Sequence, residues 1–346
     1  SANHIGGKVM AKVYTDKDAD LRVLKGKTVA VIGYGSQGHA HAQNLRDSKV
    51  KVVVAELKGT GNYRKAVKDG FKPVSAAAAT KKADIVMILL PDQIQAVVYA
   101  KEIAPNLRKG QALGFAHGFN IHFKQIVPPK GVDVFMVAPK GPGHKLREEY
   151  VRGSGTPNLI AVHQNPSKQA KKIALAYSKA LGGTRAGVLA TTFKEETETD
   201  LFGEQVILCG GITALCQAAF DTLTRAGYQP EVCYYEVCHE MKLIIDMIIE
   251  GGLSWMRYSV SDTAEYGDYT RGPRVIGPAV RREMQKILKE IQSGKFAKEW
   301  IRECRTGAKK FKALRRKARR HPIEKIGPKL RKMMKWMQAK SVPKGA

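Results

Sequence analysis

Acid is what this chain has least of. Its 346 residues carry 31 aspartates and glutamates against 59 lysines and arginines, a formal net charge of +28. That balance is wrong for a cationic partner, and an excess of base points to nucleic acid, anionic membrane or acidic partners. Cysteine is also sparse: Cys209, Cys216, Cys233, Cys238 and Cys304 form no C-x-x-C pair and are odd in number. The spacing excludes a C-x-x-C redox motif. Four of the five fall in apolar helical contexts, which suggests packed thiols in a reducing, cytoplasmic compartment. Long apolar runs are missing too. The aliphatic stretches are short and broken by charges, so neither a transmembrane helix nor a membrane contact is expected. SANHIGGKVMAKVY has no apolar core for a signal peptide, and SANHIGG has the look of a cloning scar. With 43% hydrophobic and 26% charged residues, the chain reads as globular, with room for one large or two ordinary domains.

What is present begins with a glycine turn. Residues 33–38 read GYGSQG, the form G-x-G-x-x-G, straight after the apolar run TVAVI. Glycine is common and the pattern alone is weak, but its setting strengthens it. Residues 28–32 read as a buried strand, 36–47 as a helix and 51–55 as a second strand. In such a unit Gly33 permits the turn, Gly35 the close approach of a pyrophosphate, and Gly38 close helix–strand packing. The helix N-terminus offers free N–H groups and a positive dipole end to an anion. A tight turn without a ligand is the bland alternative.

Strand-type runs recur through the first half: TVAVIG (28–33), KVVVAE (51–56), DIVMILLP (84–91), ALGFAHG (112–118), VDVFMVAP (132–139) and NLIAVHQ (158–164). Helical segments separate most of them, which predicts an α/β, Rossmann-type, doubly wound parallel sheet covered on both faces. Ligands then sit beyond the carboxyl ends of the strands, where GYGSQG, PDQ (91–93), HGFNIH (117–122) and PKGPGH (139–144) fall. Near Ala190 strand signal gives way to long helical periodicity. The chain therefore reads as a nucleotide-binding domain over 1–190, an all-helical domain over 191–338 and a tail over 339–346. Gly203, Gly210 and Gly211 interrupt the first long helical stretch at roughly 1 kcal/mol each, pointing to close helix–helix or helix–ligand approach. The basic cluster KKFKALRRKARRH (309–321) reads as a solvated helical face. A nucleic-acid or other polyanion contact is its secondary reading.

The second half carries carboxylates in pairs. Asp200 and Glu204 stand at i and i+4, and so do Glu236 and Glu240, each pair on one helix face amid apolar neighbours. Like charges at this spacing are unfavourable unless a cation offsets them. Solvated acidic faces are the plain alternative. Four carboxylates without cysteine or paired histidine at ligand spacing suit Mg²⁺ or Mn²⁺ rather than Zn²⁺, and are enough for two ions.

Taken together, GYGSQGHAHAQNLRDS, MILLPDQIQ, FAHGFNIHF, MVAPKGPGH, TTFKEETETDLFGEQ, CHEMKLIIDMI and MRYSVSDTAEYGD resemble ketol-acid reductoisomerase, also called acetohydroxyacid isomeroreductase. The resemblance runs from about Val13 to Trp336 and fits the short, class I form with a single, intertwined helical domain. It implies a metal-dependent alkyl shift in 2-acetolactate or 2-aceto-2-hydroxybutyrate, followed by nicotinamide reduction to a 2,3-dihydroxy acid in valine and isoleucine biosynthesis. It places the Mg²⁺ ligands at Asp200, Glu204, Glu236 and Glu240, with Asp200 bridging two ions. The second pair would come from the other subunit of a dimer. It puts the substrate-carboxylate serine at Ser261 and polar catalytic residues at His117 and Lys140. An alkyl shift needs a deprotonated hydroxyl and a polarised carbonyl, which two chelating ions supply, and Glu240 can relay a proton. Lys140 suits a developing oxyanion. His117 is as readily a loop-stabilising histidine as a proton carrier, and His39, His41 and His144 are as readily structural as functional.

The cofactor set is Gly33, Tyr34, Gly35, Ser36, Gln37 and Gly38 of the turn, then Glu56, Leu57, Lys58, Thr60 and Asn62. Leu90, Pro91, Asp92, Gln93, His117 and Gly143 complete it. Many family members carry an arginine and two serines after the second strand for the 2′-phosphate of NADPH. Here Leu57, Thr60 and Asn62 replace them. Glu56 stands ~20 residues past the glycine motif, where an acid binds the ribose of NAD and repels a 2′-phosphate. NADH is therefore favoured, with NADPH possible through Lys58. A metal-independent β-hydroxyacid dehydrogenase is the rival reading, but it has no need of the carboxylate pairs.

Overall fold

The computed structural model describes residues 11–335 and Lys340, with the backbone of β1 (His4–Ile5) and β2 (Lys8–Val9), an antiparallel pair. Most of SANHIGG, Trp336 and, Lys340 apart, the 339–346 tail lie outside the described residues. The chain divides into two compact units whose boundary falls between Thr199 and Asp200.

The first unit is built on eight strands: β3 (Val13–Tyr14), β4 (Thr28–Ile32), β5 (Lys51–Ala55), β6 (Ile85–Ile88), β7 (Ala112–Phe115), β8 (Asp133–Pro139), β9 (Asn158–Gln164) and β10 (Val188–Ala190). They line up in the order β3-β10-β9-β8-β7-β6-β4-β5. Around them pack α1 (Ser36–Asp47), α2 (Gly61–Lys68), α3 (Ala76–Lys82), α4 (Asp92–Val98), α5 (Phe119–His122), α6 (Gly143–Val151), α7 (Ala170–Ala180) and α8 (Gly183–Ala186). Alternation along β4 shows why both faces are covered. Val29 and Val31 enter one core with Met87, Phe135 and Tyr177, while Ala30 and Ile32 enter the other with Val86, Phe115 and Met136.

The sheet is mixed rather than wholly parallel. β8 pairs antiparallel with β9, and β10 antiparallel with β3, a short strand the sequence reading did not find. A parallel partner after β8 would need a helix running the length of the sheet. Instead residues 140–157 turn over the carboxyl end, with only the nine-residue α6 between the strands. That keeps Lys140 and Gly143 on the same rim as the glycine turn. Because β4 lies between β5 and β6, strand order reverses at β4, and the crevice above it is the switch point.

Gly33 sits at φ +98, and Gly38 has room for nothing larger: a Cβ there would lie 2.0 Å from the Gly33 carbonyl oxygen. Gly38→Ala should therefore push α1 off β4 and destabilise the protein by about 1–3 kcal/mol, read by thermal or urea denaturation.

The second unit is helical: it takes the last turn of α9 (Phe193–Gly203), and α10 (Gly210–Arg225), α11 (Pro230–Tyr234), α12 (Met241–Ser259), α13 (Asp262–Val275), α14 (Pro278–Gln292), α15 (Lys295–Arg305), α16 (Lys309–Ala318) and α17 (Pro322–Met333) follow. α12 is broken at Gly252, where φ is +84. Two widened π turns interrupt the helical path. One spans Glu204–Leu208, closed by the Cys209 N–H donating to the Glu204 carbonyl, and the other spans Tyr235–His239, closed by Glu240 N–H on Tyr235. They correct the glycine reading. A Cβ on Gly210 would lie 2.2 Å from the Gln205 carbonyl oxygen, and one on Gly211 2.0 Å from that of Val206. Both glycines make room for their own helix's displaced carbonyls rather than for another helix. Gly203 meets nothing closer than Leu208 Cδ1 at 3.7 Å.

The buried core of this unit is small, formed by Cys216, Phe220, Cys233, Tyr234, Ile323 and Leu330. Large apolar side chains stay in the open, Ile249 at 79% and Tyr258 at 81% exposure. Cys216 and Cys233 are packed as expected, with burial pushing the Cys216 thiol up, but Cys209 is exposed and Cys238 and Cys304 are half-buried. The joined helical run Phe193–Arg225 is long and apolar enough to cross a membrane by length and composition. The expectation from short, charge-broken apolar stretches differs here, because the charges of this run are gathered into its first turns and leave the remainder apolar.

Candidate active site

The glycine turn is organised from three sides. Gly33 N–H donates to the Ala55 carbonyl. The Tyr34 N–H donates to Glu56 Oε2 at 2.7 Å, and Glu56 Oε1 accepts from the Leu57 N–H at 2.9 Å. Glu56 therefore ties the turn to the loop after β5, at the position where an acid would meet a ribose. Thr60 caps α2, accepting from the Tyr63 N–H at 3.0 Å, so its hydroxyl is already engaged. On the third side Gln37 Nε2 donates to the Gly141 carbonyl at 2.9 Å, and the Gly143 N–H donates to Ser36 Oγ at 3.2 Å. The Gln37 Oε1 atom is buried with no partner among the described residues, an acceptor held ready at the mouth of the turn. Tyr34 enters the turn through its backbone alone. Its ring is fully buried in the core, and its hydroxyl donates to Asp69 Oδ2, so burial first and that carboxylate second push the phenol above its ordinary range. It supports the turn from beneath and presents no side chain to a ligand.

Beside the turn lies a cavity of about 720 Å³, walled by Ile32, Glu56, Leu57, Lys58, Leu90 and Ile94 among others. It is largely apolar, with Glu56 and Lys58 at its rim, which suits an adenine ring and its ribose. Leu57 is 74% exposed there, and Lys58 and Asn62 are exposed too. Pro91 and Gln93 are exposed at the start of α4. Asp92 is tied in through its carbonyl, which accepts from Asn120 Nδ2 at 3.1 Å.

The chemistry-bearing cluster centres on a residue that sequence reasoning missed, Glu196. It is 1% exposed on α9. Its carboxylate accepts from the Gly118 N–H at 2.9 Å, pairs with His117 Nδ1 at 3.1 Å and receives Lys140 Nζ at 3.3 Å. Burial pushes its pKa up, but the His117 hydrogen bond and charge, the Lys140 charge and the Gly118 N–H together hold it below the ordinary glutamate range. His117 comes from the loop after β7 and Lys140 from the end of β8, so two strand ends aim at one carboxylate. A signal was there to be read: Glu196, Asp200 and Glu204 recur every four residues, one turn apart.

Asp200 follows Glu196 by one turn on α9, and Glu204 opens the first π turn. Glu236 lies inside the second π turn and Glu240 closes it. Ser261 caps α13, accepting from the Ala264 N–H at 3.2 Å. Of the other histidines, His41 is fully buried, its Nδ1 2.9 Å from the Tyr177 hydroxyl, and burial drives its pKa down to about 3. His39 is lowered by burial as well.

A switch-point crevice with a glycine turn, an adenine-sized cavity and a buried cation–histidine–carboxylate cluster defines a nicotinamide-dependent oxidoreductase. Residues 23–187 match the acetohydroxy acid isomeroreductase NADPH-binding domain, and residues 193–336 match the ketol-acid reductoisomerase C-terminal domain. An NADH-preferring ketol-acid reductoisomerase from an uncultured archean is 46% identical, with a TM-score of 0.91 over 93% of this chain and 99% of that one. A semialdehyde dehydrogenase NAD-binding protein from Cupriavidus necator (20% identity, TM-score 0.61, 77% and 99% of the two chains) shares the fold. So does a pyrroline-5-carboxylate reductase from Coxiella burnetii (12% identity, TM-score 0.52, 77% and 96%). The chain belongs to the ketol-acid reductoisomerase family. It is an oxidoreductase and isomerase of branched-chain amino-acid biosynthesis, acting on an acetolactate-type substrate with a nicotinamide cofactor.

Proposed function

We propose that Asp200, Glu204, Glu236 and Glu240 hold two Mg²⁺ ions, Asp200 shared between them, and that Ser261 binds the substrate carboxylate. The observation that carries this reading is the state of Glu236 and Glu240. In a chain of net charge +28, neither makes an ion pair among the described residues, although they stand one turn apart. Hard oxygen donors left without a cation fit Mg²⁺. When bound, the ions would polarise the substrate carbonyl and acidify its hydroxyl. The chain's own groups do the rest. Lys140 offers positive charge to an oxygen on which charge develops, and Glu196 keeps that ammonium and the His117 ring in place. His117 and Glu240 are the groups able to hand a proton on. The functional division is placed near residue 190, where the nucleotide domain's last strand ends.

NADH is the proposed cofactor. Glu56 is pinned at the cavity rim and Leu57 brings no charge to a 2′-phosphate, with Gly33, Gly35, Ser36 and Gln37 lining the pyrophosphate path. The decisive experiment is oxidation of NADH and of NADPH with 2-acetolactate at low salt, with and without Mg²⁺. Turnover should require Mg²⁺ and show the higher kcat/KM with NADH. Full turnover after chelation would overturn the metal reading, and a clear NADPH preference would mean that Lys58 governs the pocket. Leu57→Arg should shift kcat/KM towards NADPH about tenfold, the worth of one charge-assisted contact.

The assembly is proposed to be at least a homodimer with shared sites, and the compartment the cytoplasm. The small core and bare apolar side chains of the helical unit support this, and the same argument reads Phe193–Arg225 as a partner-covered helix rather than a membrane span. Asp200→Asn and Glu240→Gln proteins, each inactive, should regain up to a quarter to a half of native activity when mixed and refolded. Heterodimers without activity would mean that each chain supplies all its own ligands.

A further inference from the structure

We propose that α16 and the turn after it bind duplex DNA through the phosphate backbone. Eight of the twelve residues from Lys309 to Arg320 are lysine or arginine, and none is acidic. All twelve are exposed. Among the described residues neighbouring acids neutralise only one of them. Glu299 takes Lys310 at 3.5 Å, and Glu303 Oε1 accepts from the Phe311 N–H at 2.9 Å, capping α16. Asp221 lies on His321 at 3.2 Å. Lys309, Lys312, Arg316, Lys317, Arg319 and Arg320 make no ion pair among the described residues.

Spacing turns this charge into a surface. Lys309, Lys312 and Arg316 recur at three- and four-residue steps, and Arg319 and Arg320 continue the row. Steps of three and four residues rise about 4.5 and 6 Å, so the row lays one line of positive charge along the helix, to face a strand whose charges fall every ~3.4 Å along the duplex axis. A helix about 10–12 Å across also fits the B-DNA major groove. A single strand would want a free aromatic platform. The one ring on α16, Phe311, stands edge-on to Trp300 at 5.4 Å and is covered by the Arg315 guanidinium at 4.6 Å. A bilayer would want an apolar face, and α16 offers only Phe311 and Leu314. No asparagine or glutamine stands in the row to read an adenine edge.

The test is fluorescence anisotropy of the full chain with a random-sequence duplex of about 24 base pairs, from 50 to 200 mM NaCl. Five or so phosphate contacts should give a slope of log affinity against log salt near about −5. The variant Lys312→Gln, Arg316→Gln, Lys317→Gln, Arg319→Gln, Arg320→Gln should bind about a hundredfold more weakly with a slope shallower by about 4. A control carries Lys51→Gln, Lys81→Gln, Lys82→Gln, Lys109→Gln and Lys130→Gln, all exposed and equal in charge lost. It should weaken binding less than about threefold, with acetolactate-dependent turnover and Tm native in both. Equal weakening in the two variants would overturn the proposal, because the total charge would then be the cause. So would tighter binding to single-stranded RNA, or binding only to phosphatidylserine vesicles.

Discussion

Asp200→Asn combined with Glu204→Gln is expected to lower acetolactate turnover by at least about a thousandfold, some 4 kcal/mol of lost transition-state stabilisation. A neutral amide is a poor ligand for a hard divalent ion. Reduction of the already rearranged 3-hydroxy-2-keto acid should survive in part, since hydride transfer asks less of these oxygens. Calorimetric titration with Mg²⁺ should lose its heat of binding in the same variant. Unchanged Mg²⁺ affinity would detach these carboxylates from the metal.

Glu196→Gln should be the next most damaging change, lowering kcat by about a hundredfold or more, the usual scale for a preorganised electrostatic contact. The amide cannot balance both Lys140 and His117, which Glu196 holds at 3.3 and 3.1 Å. The pH dependence has a definite sign. The folded-state pKa of Glu196 is lowered, so its contribution to stability is complete above the ordinary glutamate range and is lost as pH falls through the lower value. Below that range the wild type should lose stability on acidification faster than Glu196→Gln does. Parallel acid denaturation curves for the two proteins would refute the assignment.

Much of this was legible because it rests on local pattern. The runs at 28–33, 51–56 and 132–139 became strands, since short apolar stretches flanked by turns and separated by helices suit a covered sheet. The glycine turn was legible for the same reason. Glu196 escaped because its importance lies in burial between two strand ends more than fifty residues away, which composition does not encode. The burial of the Tyr34 ring was not legible, because adjacency to Gly33 and Gly35 says nothing of which way a ring points. The antiparallel return of β9 depends on where the chain goes after Pro139, a choice made by the packing of α6 on α1.

The π turns bear on how this site can change. A π turn is a helix carrying one residue more than its regular winding needs. Deleting that residue would restore regular winding and rotate everything beyond it by about 100° about the axis. Since Glu204 opens one such turn and Glu240 closes the other, the azimuth of each acidic pair against the helix that follows is set by a single supernumerary residue. The orientation of the carboxylates can therefore be retuned without altering any carboxylate, by removing one residue at Val206 or at Val237.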